Sequence, residues 1–233
     1  MHSEINVLGI AYKPDNTIAA RFSDTVNLDF EDKHQVEEFQ KLPFHYQNQF
    51  EILPGKYTLK VVFSSGNESF GKLEKHLSID PYSGKEFTLS GLALTNQIHR
   101  IEGNETGLDV ALLEDKTPLV VRGMEITPSA SNRFKKTDSA AIYVEVYEPL
   151  LASATPPKVG LEIIVLDRAT KEKTLDIGVP DTEAYIQKGN PVIPLAFKLP
   201  TATLAPGSYQ VQMKALDTAG RSSTIRSSNF EVE

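Results

Sequence analysis

The sequence predicts an all-β fold: two tandem immunoglobulin-like or fibronectin III-like β-sandwiches, the first short of strands, with one short helix. Three observations predict it. The phrase Pro-Gly-x-Tyr occurs twice, as Pro54-Gly55-Lys56-Tyr57 and Pro206-Gly207-Ser208-Tyr209, each time followed by alternating apolar and polar residues. Period-two alternation recurs through most of the remaining chain, whereas a helical period is confined to one short stretch. The 233 residues are too many for one sandwich of about 100 residues and suit two.

The repeated phrase carries its own physics. Proline pre-sets φ for a turn and glycine supplies positive φ without a steric penalty. After the turn, Tyr57, Leu59 and Val61 fall on one strand face, as do Tyr209, Val211 and Met213. A tyrosine just inside such a strand predicts a structural tyrosine corner, with the ring in the core and the hydroxyl bonded back to the incoming backbone. Tyr57 and Tyr209 are the two corner residues. The hairpins after them also match: 20 positions from Tyr57 to Leu77 (77 − 57) and 21 from Tyr209 to Phe230 (230 − 209). Two related domains therefore each end in the same hairpin.

The elements follow in order. Residues 4–12 read as a strand, Lys13-Pro14-Asp15-Asn16 as a turn, and Thr17 to Phe30 as the return strand, with an irregularity near Ser23-Asp24. Asp32 caps a short helix through Leu42, with Val36 and Phe39 facing inward. Phe44, Tyr46, Asn48, Phe50 and Ile52 alternate and predict a strand into the first corner. That makes five strands over residues 1–82, fewer than the seven or so of a full sandwich. The chain begins inside a strand pattern, so the missing strands are expected upstream of Met1, in a longer parent protein; the alternative is a small five-stranded sandwich whose exposed edge meets its neighbour.

The second domain, 83–233, opens with a strand over Phe87–Leu94. Residues 99–117 are polar and weakly patterned and predict a long loop. Leu119-Val120-Val121 and Met124-Glu125-Ile126 flank Arg122-Gly123. Ala141 to Tyr147 is a strand that Glu148-Pro149 stops. Val159 to Val165, Lys173 to Asp176 and Val192 to Leu199 are further strands, the last feeding the second corner.

Composition narrows function by exclusion. A net charge of −7, with no basic run longer than Lys135-Lys136, argues against nucleic acid and anionic membranes. No apolar run approaches the ~20 residues that span a bilayer, and Met1-His2-Ser3 is expected to lead directly into a strand instead of a signal-peptide pattern. Cysteine is absent, which excludes disulfides and thiolate metal sites within the chain. His2, His34, His45, His76 and His99 have no zinc-ligand spacing, and His45 and His76 read as surface residues near strand edges. Asp217-Thr218-Ala219-Gly220 offers one carboxylate in an ordinary turn, too few ligands for calcium. There is no Gly-x-Ser-x-Gly elbow and no phosphate-binding glycine loop, and Glu37-Glu38 point apart on the helix. No catalytic, cofactor-binding or metal residue is assigned, and the chain reads as a non-enzyme. Tyr82, Tyr147 and Tyr185 lie near loops and are the aromatics that a sugar ring would stack on; tryptophan is absent.

Several of these motifs together resemble a known family. Ile18 to Phe30, Ile52 to Val61, Phe70-Gly71-Lys72-Leu73 and Phe87 to Leu94 are similar to the region after the von Willebrand A domain in VWFA-related proteins of Acidobacteria-type bacteria. Ile126-Thr127-Pro128-Ser129 through Arg133-Phe134, Tyr143 to Tyr147, and Leu204-Ala205-Pro206-Gly207-Ser208-Tyr209 to Val232 are similar to the tail of that family. The resemblance covers most of the chain. It implies an exported parent protein, in the extracellular space or cell envelope, whose upstream A domain carries an Asp-x-Ser-x-Ser metal motif. That motif stands nowhere in this sequence, so no metal residue is carried over. The expected role is a structural or protein-interaction module whose partner is a protein or the neighbouring upstream domain. A carbohydrate-binding accessory module is the alternative.

Overall fold

The computed structural model describes residues 2–41, 44, 46–65, 69–101, 119–180 and 182–233. The chain divides into two compact units, Met1–Tyr82 and Ser83–Glu233. It is all-β, with one α-helix among the described residues.

The first unit holds β1 (His2–Tyr12), β2 (Ile18–Asp29), α1 (Lys33–Lys41), β3 (Gly55–Ser65) and β4 (Ser69–Ile79). The strands form one antiparallel sheet in the order β2-β1-β3-β4. The β1–β2 turn closes on Asp15, whose carboxylate accepts from the Thr17 amide at 2.9 Å and hydroxyl at 2.6 Å. The ladder runs unbroken through Ser23 and Asp24, where an irregularity is expected from the sequence. The slip lies instead where Ala11 faces Ala20 and Tyr12 faces Ile18, leaving Ala19 over as a bulge. Asp24 sits in regular ladder opposite Val7 and accepts the Tyr46 hydroxyl at 3.1 Å.

Val7, Ala11, Tyr57 and Val61 are buried on one face of this sheet. The α1 helix is capped by Asp32, which accepts from the Gln35 amide at 2.9 Å, while Gln35 reaches back to the Glu31 amide at 2.8 Å. Its Phe39 packs on Phe30 and Phe44, with ring centroids 5.3 and 5.7 Å apart. The fifth strand expected over Phe44–Ile52 is absent: the described residues there lie outside every ladder. Its alternation is still real. Phe50 meets Phe22 at 5.2 Å and Tyr46 meets Phe63 at 6.3 Å, so the segment lays alternate side chains on the sheet face. Period-two patterning here records burial without strand pairing.

The second unit is a two-sheet sandwich. Its larger sheet has the order β10-β16-β15-β12-β13, from Arg133–Phe134, Arg226–Val232, Gly207–Asp217, Val159–Asp167 and Lys173–Gly178. The facing sheet has β14 (Val192–Lys198), β11 (Ala141–Tyr147) and β5 (Thr88–Leu89), with β6 (Ala93–Thr95) also on β11. Ile142, Val144, Val146, Ile193 and Leu195 from one sheet meet Leu161, Ile163, Val165, Val211 and Met213 from the other in a single core. The strand expected over Phe87–Leu94 is interrupted. Three residues, Ser90 to Leu92, stand against two on β11, Val144 and Glu145, which makes a bulge. Ser90 holds it, exchanging backbone and hydroxyl bonds with Glu145, each at 2.9 Å.

A small third sheet, β7-β9-β8, comes from Gln97–Arg100, Met124–Thr127 and Leu119–Val121. Arg122 and Gly123 turn it with φ of 50° and 75°, the paired positive values of a tight hairpin. His99 and Arg100, placed in the expected loop, belong to β7. The rest of that loop, from residue 102 onward, lies outside the described residues. Among the described residues no helix is long and apolar enough to cross a membrane.

Candidate functional site

The two tyrosines singled out by the sequence occupy equivalent places. The Tyr57 hydroxyl donates to the Leu53 carbonyl at 2.7 Å, and the Tyr209 hydroxyl to the Ala205 carbonyl at 2.8 Å. Both rings are buried. The two glycines differ. Gly55 has φ of 156°, and a Cβ there would lie 2.9 Å from the Tyr57 hydroxyl. Gly207 has no positive φ, contrary to the sequence expectation, and its nearest Cβ contact would be an ordinary 3.6 Å to Tyr209. Gly207 already belongs to β15, where strand pairing with Val232 keeps its backbone extended.

At one end of the sandwich, three charged side chains converge. Glu148, just after β11, is fully buried and accepts from the Leu150 amide at 2.7 Å. Asp217, the last residue of β15, has a fully buried carboxylate. Arg221 reaches both: its guanidinium donates to Glu148 at 2.5 Å and to Asp217 at 2.7 Å, and it lies over the Phe87 ring at 5.2 Å. Burial pushes the Asp217 pKa up, but the amide and guanidinium of Arg221 outweigh it and hold the group below its ordinary value. The Asp217 turn is therefore half of a clamp between the two sheets. Glu148-Pro149 and Asp217 each looked like local punctuation, and nothing local in either stretch signals the other.

A second polar cluster lies on the outer face of β11. The Tyr143 hydroxyl donates to one Glu145 oxygen at 2.8 Å and the Tyr147 hydroxyl to the other at 2.5 Å. Burial first, and then the Glu145 hydrogen bond, push the Tyr143 phenol well above its ordinary pKa. Val121 and Ile126 of the small sheet cover Tyr143, with Tyr185 packed alongside. Arg122 lies 5.3 Å over the Tyr185 ring. With each carboxylate oxygen accepting a hydrogen bond from a tyrosine hydroxyl, the arrangement holds the three side chains together on this face. The spacing Tyr143-x-Glu145-x-Tyr147 puts all three on one strand face, which is legible in the sequence.

The remaining candidates are dispersed. His2 bonds Asp29 at 2.8 Å, which raises its pKa; His76 bonds the Thr58 hydroxyl at 3.1 Å on the exposed β4; His34 stands 3.9 Å from Glu38. His45 lies outside the described residues. Among the described residues no three His, Cys, Asp or Glu side chains gather as a metal site. Tyr82 is exposed and belongs to the first unit, whereas Tyr147 and Tyr185 belong to the second. A shallow cleft of about 390 Å³ lies between Leu151, Pro156, Pro157, Val159 and Ile186, and Lys158 and Glu183 pair at 3.8 Å on its rim.

No family model matches the chain, and no curated protein matches it.

Proposed function

We propose that this chain is a non-catalytic structural or protein-interaction module of an exported bacterial VWFA-related protein. The observation that carries the non-catalytic part is the state of the buried carboxylates. Glu148 and Asp217 are both committed to Arg221, which suits a clamp and leaves neither of these buried carboxylates, among the described residues, free to act as acid or base. The family and export parts rest on the order of sequence motifs around the two Pro-Gly-x-Tyr corners. On this reading the partner is a protein or a neighbouring domain, in the cell envelope or outside the cell.

A carbohydrate-binding accessory module is the second reading. Tyr185, with Arg122 over its ring, and Tyr147, whose hydroxyl bonds the Glu145 carboxylate, favour it, because aromatic rings and a fixed carboxylate suit a polyol. Electrophoresis of the purified chain through gels containing soluble polysaccharides separates the two. Unchanged mobility across a panel of neutral and acidic polysaccharides is expected for the first reading. Retardation that Tyr185→Ala abolishes would replace it with the second.

A further inference from the structure

The outer edge of β4 pairs with no strand among the described residues. It is 11 residues long, about twice the common strand length, and two of its large apolar side chains stand in solvent: Phe70 is 77% exposed and Leu73 55%. An open edge of this kind is a template for another strand. Its side chains alternate, with Phe70, Lys72, Glu74 and His76 on one face and Gly71, Leu73, Lys75 and Leu77 on the other.

The order of charges along the edge selects the strand that fits. Two copies related by a two-fold axis perpendicular to the sheet run antiparallel, and facing residues share a face, so the register is centred on a single residue. Centred on Lys72 or Lys75, lysine faces lysine. Centred on Glu74, glutamate faces glutamate. Centred on Leu73, Leu73 faces its own copy, Lys72 faces Glu74 on both sides of the axis, and Phe70 faces His76. Lys75, a charge on the apolar face that guards the edge against indiscriminate addition, then faces Gly71. A Cβ at Gly71 would meet nothing within 4 Å, so the lysine stem has room there. Glu74 already lies 3.5 Å from Lys60 of β3, and the second lysine would bracket it. The opposite edge, β2, is less suited: it carries the Ala19 bulge, and Asp24 on its apolar face is held by Tyr46.

We propose that two copies of this chain pair antiparallel through β4, with Leu73 on the two-fold axis, so that their four-stranded sheets become one. This interaction is independent of any ligand of the second unit. Sedimentation equilibrium of the full chain over a micromolar concentration range tests it, with circular dichroism to show that each variant keeps its strands. The wild type is expected to be a monomer–dimer mixture. Lys72→Glu alone and Glu74→Lys alone each set like charges against each other twice, and each weakens the dimer about tenfold or more. The double variant Lys72→Glu/Glu74→Lys restores the pairs and the dimer. A wild type that stays monomeric overturns the proposal. So does a dimer that either single variant leaves unchanged, and so does loss in the single variants without recovery in the double one.

Discussion

Tyr57 and Tyr209 make the same hydrogen bond, to a carbonyl four residues upstream, inside two differently built units. Around Tyr209 the support is tertiary. Its ring stacks on Phe230 at 5.5 Å in a core closed by two sheets, and Gly207 needs no special backbone. Around Tyr57 the support is local. The described residues of the unit form one sheet, Tyr57 faces Leu77 on an edge strand, and the approach of the tyrosine hydroxyl to Gly55 leaves no room for a Cβ. One sequence phrase thus fixes a hydrogen bond, while the surroundings decide whether glycine or core packing holds it in place.

The sharpest way to separate the units is to remove Arg221. Arg221→Ala leaves Glu148 and Asp217 buried without their cation; because the guanidinium is 34% exposed, the expected cost is about 3 kcal/mol, the low end for a broken buried pair. Hydrogen exchange read peptide by peptide should show lost protection in 119–180 and 182–233, with 2–41 and 46–65 unchanged. Gly55→Ala comes next, at about 1–2 kcal/mol in the first unit, because the new Cβ meets the Tyr57 hydroxyl in a strained backbone. Gly207→Ala should shift urea unfolding by no more than a few tenths of a kcal/mol, and an equal loss at both glycines would erase the contrast. Tyr209→Phe and Tyr57→Phe are each expected to cost about 1 kcal/mol, by thermal melting, since each hydroxyl makes the same part-buried bond to the carbonyl of an exposed residue.

The smallest effect is in acid. Asp217 is held below its ordinary value of 3.8 in the fold, so it contributes stability above the unfolded pKa and loses it as pH falls through the folded one. Melting of the second unit should hold steady down to about pH 4 and fall below it. Asp217→Asn should make that acid limb shallower, and an unchanged limb would place the acid sensitivity elsewhere.

Strands were legible where alternation, turn residues and pairing agree, as in the Val159–Asp167 and Gly207–Asp217 pair. The helix was legible from Asp32 and the Val36–Phe39 spacing. Phe44–Ile52 shows the limit of alternation, which reports which side chains are buried and is silent about which backbone is paired. The Ser90 bulge was hidden because it needs the count of residues on the partner strand. Tyr147 and Tyr185 are legible as aromatics near loops; the role of Glu145 is not, because it depends on two tyrosine hydroxyls turning onto one carboxylate. The Arg221 clamp was invisible because Glu148 is 73 residues away and only the closure of the two sheets brings them together.

The clamp also bears on when the second unit becomes stable. Many sandwiches are pinned across their sheets by an oxidised pair of cysteines, so their final tie waits for an oxidant. Here the cross-sheet tie is made of an arginine and two carboxylates, and the chain has no cysteine. Such a tie waits for no oxidant, needs no isomerase to correct a wrong pairing, and is indifferent to glutathione.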